Sequence, residues 1–176
     1  GSACISINDE VIHGIPSSKK ILREGDIVKI DVGAFYKGFH GDSARTIPVG
    51  KVSNEAAKLI EVTRDSFFAG VAQLRSGNRL GDVGSAIDTL VRANGFSTVR
   101  KYIGHGIGKE VHEAPDVPNY GTPGRGVRIC SGMVLAIEPM ICLGRRQVIL
   151  EEDGWTARTI DRKPAAHYEH SVCVRN

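Results

Sequence analysis

The segment IVKIDVGAF (residues 27–35) is rich in β-branched and aromatic residues, a composition typical of a β-strand. Lys37-Gly38 follows as a turn signal, and residues 41–49 form the predicted returning strand of a hairpin. With a two-residue turn, Asp31 and Asp42 would face one side of the sheet, directly or diagonally opposite, about 5–8 Å apart. Two carboxylates at this distance repel each other unless a cation separates them. The hairpin therefore predicts either a solvated acidic face or a metal site.

Downstream of the hairpin, the pattern predicts two helices followed by short strands. Helical spacing of apolar residues covers 54–75, with Ser53 as the N-cap, and 80–94, with Gly95 as the stop. Residues 98–103 lead into the glycine-rich residues 104–106, and strands are predicted at four further places, namely residues 133–139, 147–151, 156–160 and 168–174. Strands on both sides of a helical pair predict a single α+β domain over residues 1–176, with an antiparallel sheet.

Composition excludes several classes of protein. The net charge is +3 with both signs interspersed, which does not predict a nucleic-acid-binding surface. The longest apolar runs are far too short to span a bilayer, and no secretory signal is visible, so no membrane partner is predicted. The four cysteines form no CxxC pair, which favours reduced thiols and a cytoplasmic location.

A glycine-rich segment carries two histidines, His105 and His112, within GHGIGKEVHE (residues 104–113). Glycine lets the backbone approach another group closely, and this density of glycine is incompatible with a stable helix. The segment could instead be a loop with incidental histidines. A phosphate-binding loop is less favoured, because no helix N-terminus follows.

Two more carboxylates, Glu138 and Glu169, lie inside otherwise apolar predicted strands. A buried carboxylate is costly unless it is paired, protonated or bound to metal. One shared cation site is the simplest explanation for four such carboxylates and a histidine. Such an oxygen-rich set suits Mn, Fe(II), Co(II) or catalytic Zn. Two carboxylates able to bridge predict two ions and metal-assisted hydrolysis, with the substrate left open.

The ordered motifs of the chain resemble those of the type I methionine aminopeptidases. The motifs are NDEVIHGIP (residues 8–16), the Asp31/Asp42 pair, GHGIG (104–108), IEPM (137–140) and YEH (168–170). The resemblance covers essentially the whole chain. It implies the pita-bread α+β fold, a curved antiparallel sheet with helices on its outer face. It also implies that the protein removes the N-terminal methionine from peptides and nascent polypeptides, with the ribosome as a candidate partner and a monomer as the expected state.

The resemblance also implies a role for each site residue. Five positions match the metal ligands of the family: Asp31, Asp42, His105, Glu138 and Glu169. Asp42 and Glu169 would bridge the two ions, Asp31 would chelate one, and His105 with Glu138 would hold the other. His13 and His112 match histidines that contact the substrate near the scissile amide. Glu138 is expected to accept a proton from the metal-activated water, and an open metal position to bind the free α-amine of the substrate.

Three positions match the methionine pocket of the family, namely Cys4, Val111 and Trp155. Plain core packing is the alternative explanation for Trp155. The chain departs from the family pattern in carrying histidine at position 167, where glutamine is expected. The sequence also lacks the segment that precedes Cys4 in family members, and less strand follows Glu169. Because the absent segment supplies part of the pocket, the resemblance predicts metal binding but slow hydrolysis by these 176 residues alone.

Two alternatives remain. An X-Pro peptidase of the same fold shares the glycine-rich and HEAP motifs, but the HGIP motif (residues 13–16) and His170 favour methionine removal. A non-catalytic binding module of this fold would be expected to lose metal ligands, and all five matching positions are retained here.

Overall fold

A computed structural model describes residues 3–175 of the chain. Within them two helices, α1 (Asn54–Val71) and α2 (Leu80–Ala93), interrupt a series of short strands. The strands are β1 (Cys4–Ile7), β2 (Glu10–Ile12), β3 (Ile27–Tyr36), β4 (Phe39–Pro48), β5 (Ser97–Thr98), β6 (Gly104–Gly106), β7 (Glu113–Val117), β8 (Val134–Ile137), β9 (Met140–Cys142), β10 (Val148–Leu150), β11 (Ala157–Thr159), β12 (Ala165–His167) and β13 (Glu169–Cys173).

An antiparallel sheet of seven strands, ordered β1–β3–β4–β13–β8–β6–β7, forms the centre of the fold. Two three-stranded sheets, β10–β11–β2 and β12–β9–β5, adjoin it. The curled sheet with its two helices matches the pita-bread architecture that the resemblance implies. The α+β prediction is therefore confirmed.

The predicted hairpin of β3 and β4 is closed by Lys37 and Gly38, both with positive φ (48° and 87°). Paired positive φ values give the hairpin turn whose twist matches that of the flanking strands. The turn fixes the register, with Asp31 opposite Ala44 and Gly33 opposite Asp42. Asp31 and Asp42 are thus diagonal neighbours on one face of the sheet, which is one of the two arrangements that the sequence predicts.

The helices pack on each other and on the sheet. The side chain of Ser53 caps α1 by accepting a hydrogen bond from the backbone N–H of Ala56, as predicted. The helix ends at Val71, four residues before the predicted end, and residues 72 and 73 form a turn after it. Buried apolar side chains between the helices and the strands make the larger core, including Leu59, Phe67, Ile87, Val91, Leu135 and Ile141. No helix in residues 3–175 has the length and apolarity needed to cross a membrane.

The region of residues 98–103 is mostly not a strand. Only Thr98 lies in one, the two-residue β5, and residues 99–103 join β5 to β6 through a bend. Seven strands were not predicted from the sequence, namely β1, β2, β5, β6, β7, β9 and β12. Each has only two to five residues, too few to display an alternating pattern above background.

Helix α2 lies directly against the loop of residues 118–125. Gly81 and Gly84 face this loop, and a Cβ atom on either glycine would overlap its backbone carbonyl oxygens. The oxygens facing Gly84 belong to Pro118 and Tyr120. The close approach of helix and loop therefore requires glycine at both positions.

We expect the substitution Gly84→Ala to destabilise the protein, although alanine is the better helix former. The added methyl group must push backbone away, which typically costs about 1–3 kcal/mol. Urea unfolding measures this loss. Thr89→Ala, at an exposed position of the same helix, is the control and should change stability by less than about 0.5 kcal/mol. Equal stability of the two variants would contradict the tight contact.

Candidate metal centre

One row of residues runs across four adjacent strands and carries two of the predicted ligands. Cys4 of β1 pairs with Asp31 of β3, Asp31 pairs with Ala44 of β4, and Ala44 pairs with Glu169 of β13. Asp42 lies on the same face, two residues along β4 from Ala44. The backbone N–H of Asp42 donates to the hydroxyl of Ser171 on β13, which fixes this carboxylate relative to Glu169. The sheet therefore gathers three carboxylates on one face.

The other two predicted ligands come from the neighbouring strands β6 and β8. His105 pairs with Ala136 of β8, and Glu138 follows the last residue of that strand. The Nδ1 atom of His105 lies 2.8 Å from the carbonyl oxygen of Gly106, so this nitrogen carries the proton and Nε2 is left with its lone pair. Nε2 lies 3.4 Å from Oε1 of Glu138. An imidazole nitrogen and a carboxylate oxygen thus converge beside the carboxylate row.

The donor atoms are close enough to share metal ions. One donor atom each from Asp42, His105 and Glu169 lie within 4.8 Å of one another, and the same holds for Asp31, His167 and Glu169. Ligands of one ion with bonds of about 2.1 Å are at most about 4.2 Å apart, so small side-chain shifts would close either group on an ion. Glu169 belongs to both groups. The residues present therefore fit divalent metal ions.

Burial and mutual repulsion act on these carboxyl groups. Burial, followed by the Asp42 carboxylate, raises the pKa of Asp31 to about 6. Burial also raises the pKa of Glu138 and that of Glu169 well above the ordinary value, and neighbouring carboxylates of the site add to it. Desolvation lowers the pKa of His105, which favours the neutral ring needed for coordination. The ionised forms of these carboxyl groups are therefore destabilised in the site unless a cation is bound.

An apolar cavity of about 340 Å³ lies next to the carboxylate row. Its lining includes Cys4, His13 and Trp155. The rings of His13 and Trp155 meet edge to face, with centroids 5.9 Å apart. Core packing is the wrong explanation for Trp155, because 62% of its surface is exposed at the wall of this cavity.

The segment around His13 is held in an unusual backbone conformation. His13 has a positive φ of 59°. The next residue, Gly14, donates its N–H to the hydroxyl of Ser6 at 2.9 Å, and a Cβ atom on Gly14 would overlap the backbone of Ile5. Burial, followed by the nearby His112, lowers the pKa of His13, so its ring is neutral at physiological pH. The conformation therefore directs a neutral imidazole at the cavity.

His112 lies beside the predicted metal ligand His105. Its side chain is exposed, and its ring centroid is 4.3 Å from that of His105. Val111, which the resemblance assigns to the methionine pocket, is half-buried and is not among the residues that line the cavity. The structure therefore brings Cys4, His13 and Trp155 together, and leaves Val111 on the His112 side.

A second row, of polar residues, lies two residues along the strands from the row of Cys4, Asp31, Ala44 and Glu169. It was not predicted from the sequence. Ser6, Lys29 and Thr46 are paired across β1, β3 and β4. Lys29 is 1% exposed and donates from Nζ to the carbonyl oxygens of Asn8 at 2.7 Å and Ala165 at 3.0 Å. Burial lowers the pKa of this ammonium group to about 7. The only signal in the sequence is a lysine within an apolar strand.

The polar row continues into β12 through Thr46. The hydroxyl of Thr46 donates to the carbonyl oxygen of His167 and accepts from its N–H, both at 2.8 Å. The ring of His167 is 2% exposed, and within residues 3–175 neither of its nitrogens has a hydrogen-bond partner. Nε2 lies 3.7 Å from Oε2 of Glu169 and 4.0 Å from Oε2 of Glu138. Burial lowers the pKa of His167 to about 3, so the ring is neutral.

We expect the metal-free protein to lose stability as the pH rises from about 4 to 7. The pKa of Asp31 is about 6 in the folded chain and 3.8 as an ordinary aspartate, so the folded chain binds more protons in this window and stability falls as they leave. Over this pH range the free energy of unfolding of the parent should fall by on the order of 1–3 kcal/mol more than that of Asp31→Asn.

Urea unfolding with a chelator present, at several pH values, measures this difference. Added Mn²⁺ should reverse the loss, because the metal binds the ionised carboxylates. Asp116→Asn, which removes an exposed carboxylate of β7, should follow the parent curve. A metal-free parent that gains stability relative to Asp31→Asn over this range would contradict the repulsive site.

Comparisons with known proteins agree with this geometry. The sequence model of metallopeptidase family M24 matches residues 1–176. A methionine aminopeptidase of Clostridium acetobutylicum is 54% identical over 173 residues, which cover 98% of this chain and 69% of the relative. Methionine aminopeptidase 1 of Bacillus subtilis is 48% identical over 174 residues, covering 99% of this chain and 70% of the relative.

Solved structures give the same result. The crystal structure of a methionine aminopeptidase from Thermotoga maritima superimposes with a TM-score of 0.97 at 47% identity, covering 98% of this chain and 70% of that one. Prolidase from Pyrococcus furiosus gives a TM-score of 0.77 at 24% identity, covering all of this chain and 47% of that one, a likeness of fold alone. The chain therefore belongs to metallopeptidase family M24, among the methionine aminopeptidases.

Proposed function

We propose that this chain is a metal-dependent aminopeptidase that removes the N-terminal methionine from polypeptides. The observation that carries the proposal is the convergence of four carboxylates and His105 beside an apolar cavity. A site that binds divalent cations next to a pocket for one apolar side chain is suited to hydrolysing the bond that follows this side chain. Relatives at 48–54% identity that bear the name methionine aminopeptidase support this substrate over an X-Pro peptide.

We assign the five converging side chains, Asp31, Asp42, His105, Glu138 and Glu169, to two divalent ions. Glu169 belongs to both groups of close donors, which supports a bridging role, and the diagonal position of Asp42 supports the same role. The donor set suits Mn, Fe(II), Co or Zn. When bound, such ions acidify a water molecule and polarise the peptide carbonyl group.

The side chains of the chain supply proton transfer and charge stabilisation. Glu138 is 9% exposed, and its carboxylate accepts the proton of the attacking water. His112 donates an N–H to the carbonyl oxygen, which gains negative charge as the carbonyl carbon becomes tetrahedral. His13, on the cavity side, contacts the peptide near the scissile amide. His13 lines the cavity, and His112 is exposed to solvent beside His105.

The cavity beside the metal cleft takes the side chain of the first residue. Cys4 and Trp155 offer an apolar wall to it, and methionine is long, flexible and able to adapt to such a wall. Val111 contacts the substrate from the His112 side of the cleft. An apolar pocket discriminates by only about 1–3 kcal/mol per methylene-sized difference, so leucine is a poor but real competitor.

The biological setting follows from this substrate. Newly made polypeptides carry the N-terminal methionine, so the ribosome that presents them is a candidate partner. Residues 1–176 act as a single metallopeptidase domain, and we expect the protein to work as a monomer. Four free cysteines support a reducing, cytoplasmic location.

The test of the function compares Met-Ala-Ser with Ala-Pro-Ala and Leu-Ala-Ser as substrates. We expect free methionine to appear from Met-Ala-Ser only when Mn²⁺ or Co²⁺ is present. Ala-Pro-Ala should stay intact and Leu-Ala-Ser should react more slowly. Mass spectrometry of the products detects even slow turnover. Metal-loaded protein that cleaves Ala-Pro-Ala in preference, or cleaves none of the peptides, would reject the proposal.

His112→Ala should lower kcat by a factor of about 10²–10³, the usual effect of losing one oxyanion donor, and leave metal occupancy nearly unchanged. The contrasting variant is Asp42→Asn, which should lose at least one ion. His40→Ala, two residues from Asp42 on β4, should retain both ions. Metal analysis of the purified variants and steady-state kinetics separate these outcomes. Loss of metal from His112→Ala would show that His112 is a ligand.

A further inference from the structure

We propose that His167 is a positioning residue of the metal centre, whose Nε2–H hydrogen-bonds the ligand carboxylates of Glu138 and Glu169. The inference rests on the metal site of the proposed function. It concerns a residue outside the five-ligand set. Two independent observations carry it: a buried ring without partners, and the two carboxylate oxygens that the ring faces.

The first observation is the unsatisfied ring. A neutral imidazole offers one N–H donor and one acceptor, and most buried polar groups of this kind are hydrogen-bonded. The hydroxyl of Thr46 hydrogen-bonds both the N–H and the carbonyl oxygen of His167. The backbone that carries the ring is therefore held in one position. A fully buried imidazole with two unpaired nitrogens is unfavourable by itself. We therefore expect the ring to gain a hydrogen-bond partner when the metal ions bind.

The second observation is the direction of Nε2. Glu138 directs Oε1 at His105, 3.4 Å from that ring, and its other oxygen, Oε2, faces His167 at 4.0 Å. Oε2 of Glu169 is 3.7 Å from the same Nε2. An ionised carboxylate can only accept hydrogen bonds, so the proton of His167 belongs on Nε2. The ring is therefore placed to hold the outer oxygens of two ligands while their other oxygens serve a metal ion.

A direct metal–nitrogen bond is the competing role, because a donor atom of His167 lies within 4.8 Å of donor atoms of Asp31 and Glu169. The N–H donor is favoured because Nε2 faces oxygens of two different ligand carboxylates, and an ionised carboxylate can only accept hydrogen bonds. Hydrogen bonds from outside the ligand set orient ligands and typically change metal affinity 10- to 100-fold.

The test compares His167→Leu and His167→Gln with the parent protein, using the visible absorption of bound Co²⁺ as a readout independent of turnover. We expect His167→Leu to bind Co²⁺ about 10- to 100-fold more weakly. His167→Gln should restore the affinity to within about threefold and leave the Co²⁺ absorption bands in place, since the ligands are the same. Without metal, His167→Leu should unfold at the same urea concentration as the parent or a higher one, because no hydrogen bond is lost.

A matched control is available at Thr98, whose buried hydroxyl is also unpaired. Thr98→Val should likewise cost no stability in the metal-free protein, but its Co²⁺ affinity should equal that of the parent.

Three results would overturn the proposal. A Co²⁺ affinity of His167→Leu equal to that of the parent would show that His167 has no role in the metal centre. Weak binding and shifted absorption bands in both variants would make His167 a ligand. A metal-free His167→Leu that is unfolded or strongly destabilised would assign the residue to packing. Failure of the parent itself to bind Co²⁺ would instead reject the metal site of the proposed function.

Discussion

Repulsion among four carboxylates in a shared, poorly solvated cleft is the constraint around which the structure is organised. Asp31 and Asp42 are diagonal neighbours on one hairpin, and Glu138 and Glu169 come from the adjacent strands. In a medium of low dielectric constant such charges strongly disfavour the folded state unless they are protonated or neutralised by a cation. The scaffold must therefore hold groups that would otherwise move apart.

The sheet resists this repulsion through strand pairing and a layer of buried polar contacts. Asp31 and Glu169 share one row of paired residues, so neither can move without breaking backbone hydrogen bonds. The neighbouring row carries Lys29, whose ammonium group joins the turn before β2 to the first residue of β12. These are the segments that lead to His13 and to Glu169. The same contacts that satisfy a buried lysine thus fix the relative positions of the cavity and the cation site.

The hairpin and the helices were predictable because local signals define them. A two-residue turn at Lys37-Gly38 determines the relation of Asp31 and Asp42, and Ser53 and Gly95 mark helix ends. The short strands were not predictable, because three residues such as those of β12 contain no recognisable period. The candidate ligands were recognisable as charges that interrupt apolar runs. The environment of His167, with its two unpaired ring nitrogens, was not recognisable from the sequence. The strand that carries Thr46, its backbone partner, lies 121 residues away along the chain.

Trp155 gives the cavity a property of practical use. It is the one tryptophan of the chain, and its indole stands at the cavity wall with 62% of its surface exposed. Indole emission changes in wavelength and intensity when the ring leaves water for an apolar contact, and here no second tryptophan adds background. Any molecule that fills the cavity therefore alters the entire tryptophan fluorescence of the protein. The fold thus contains its own optical probe, which can follow occupancy of the cavity in unlabelled protein while no bond is being cleaved.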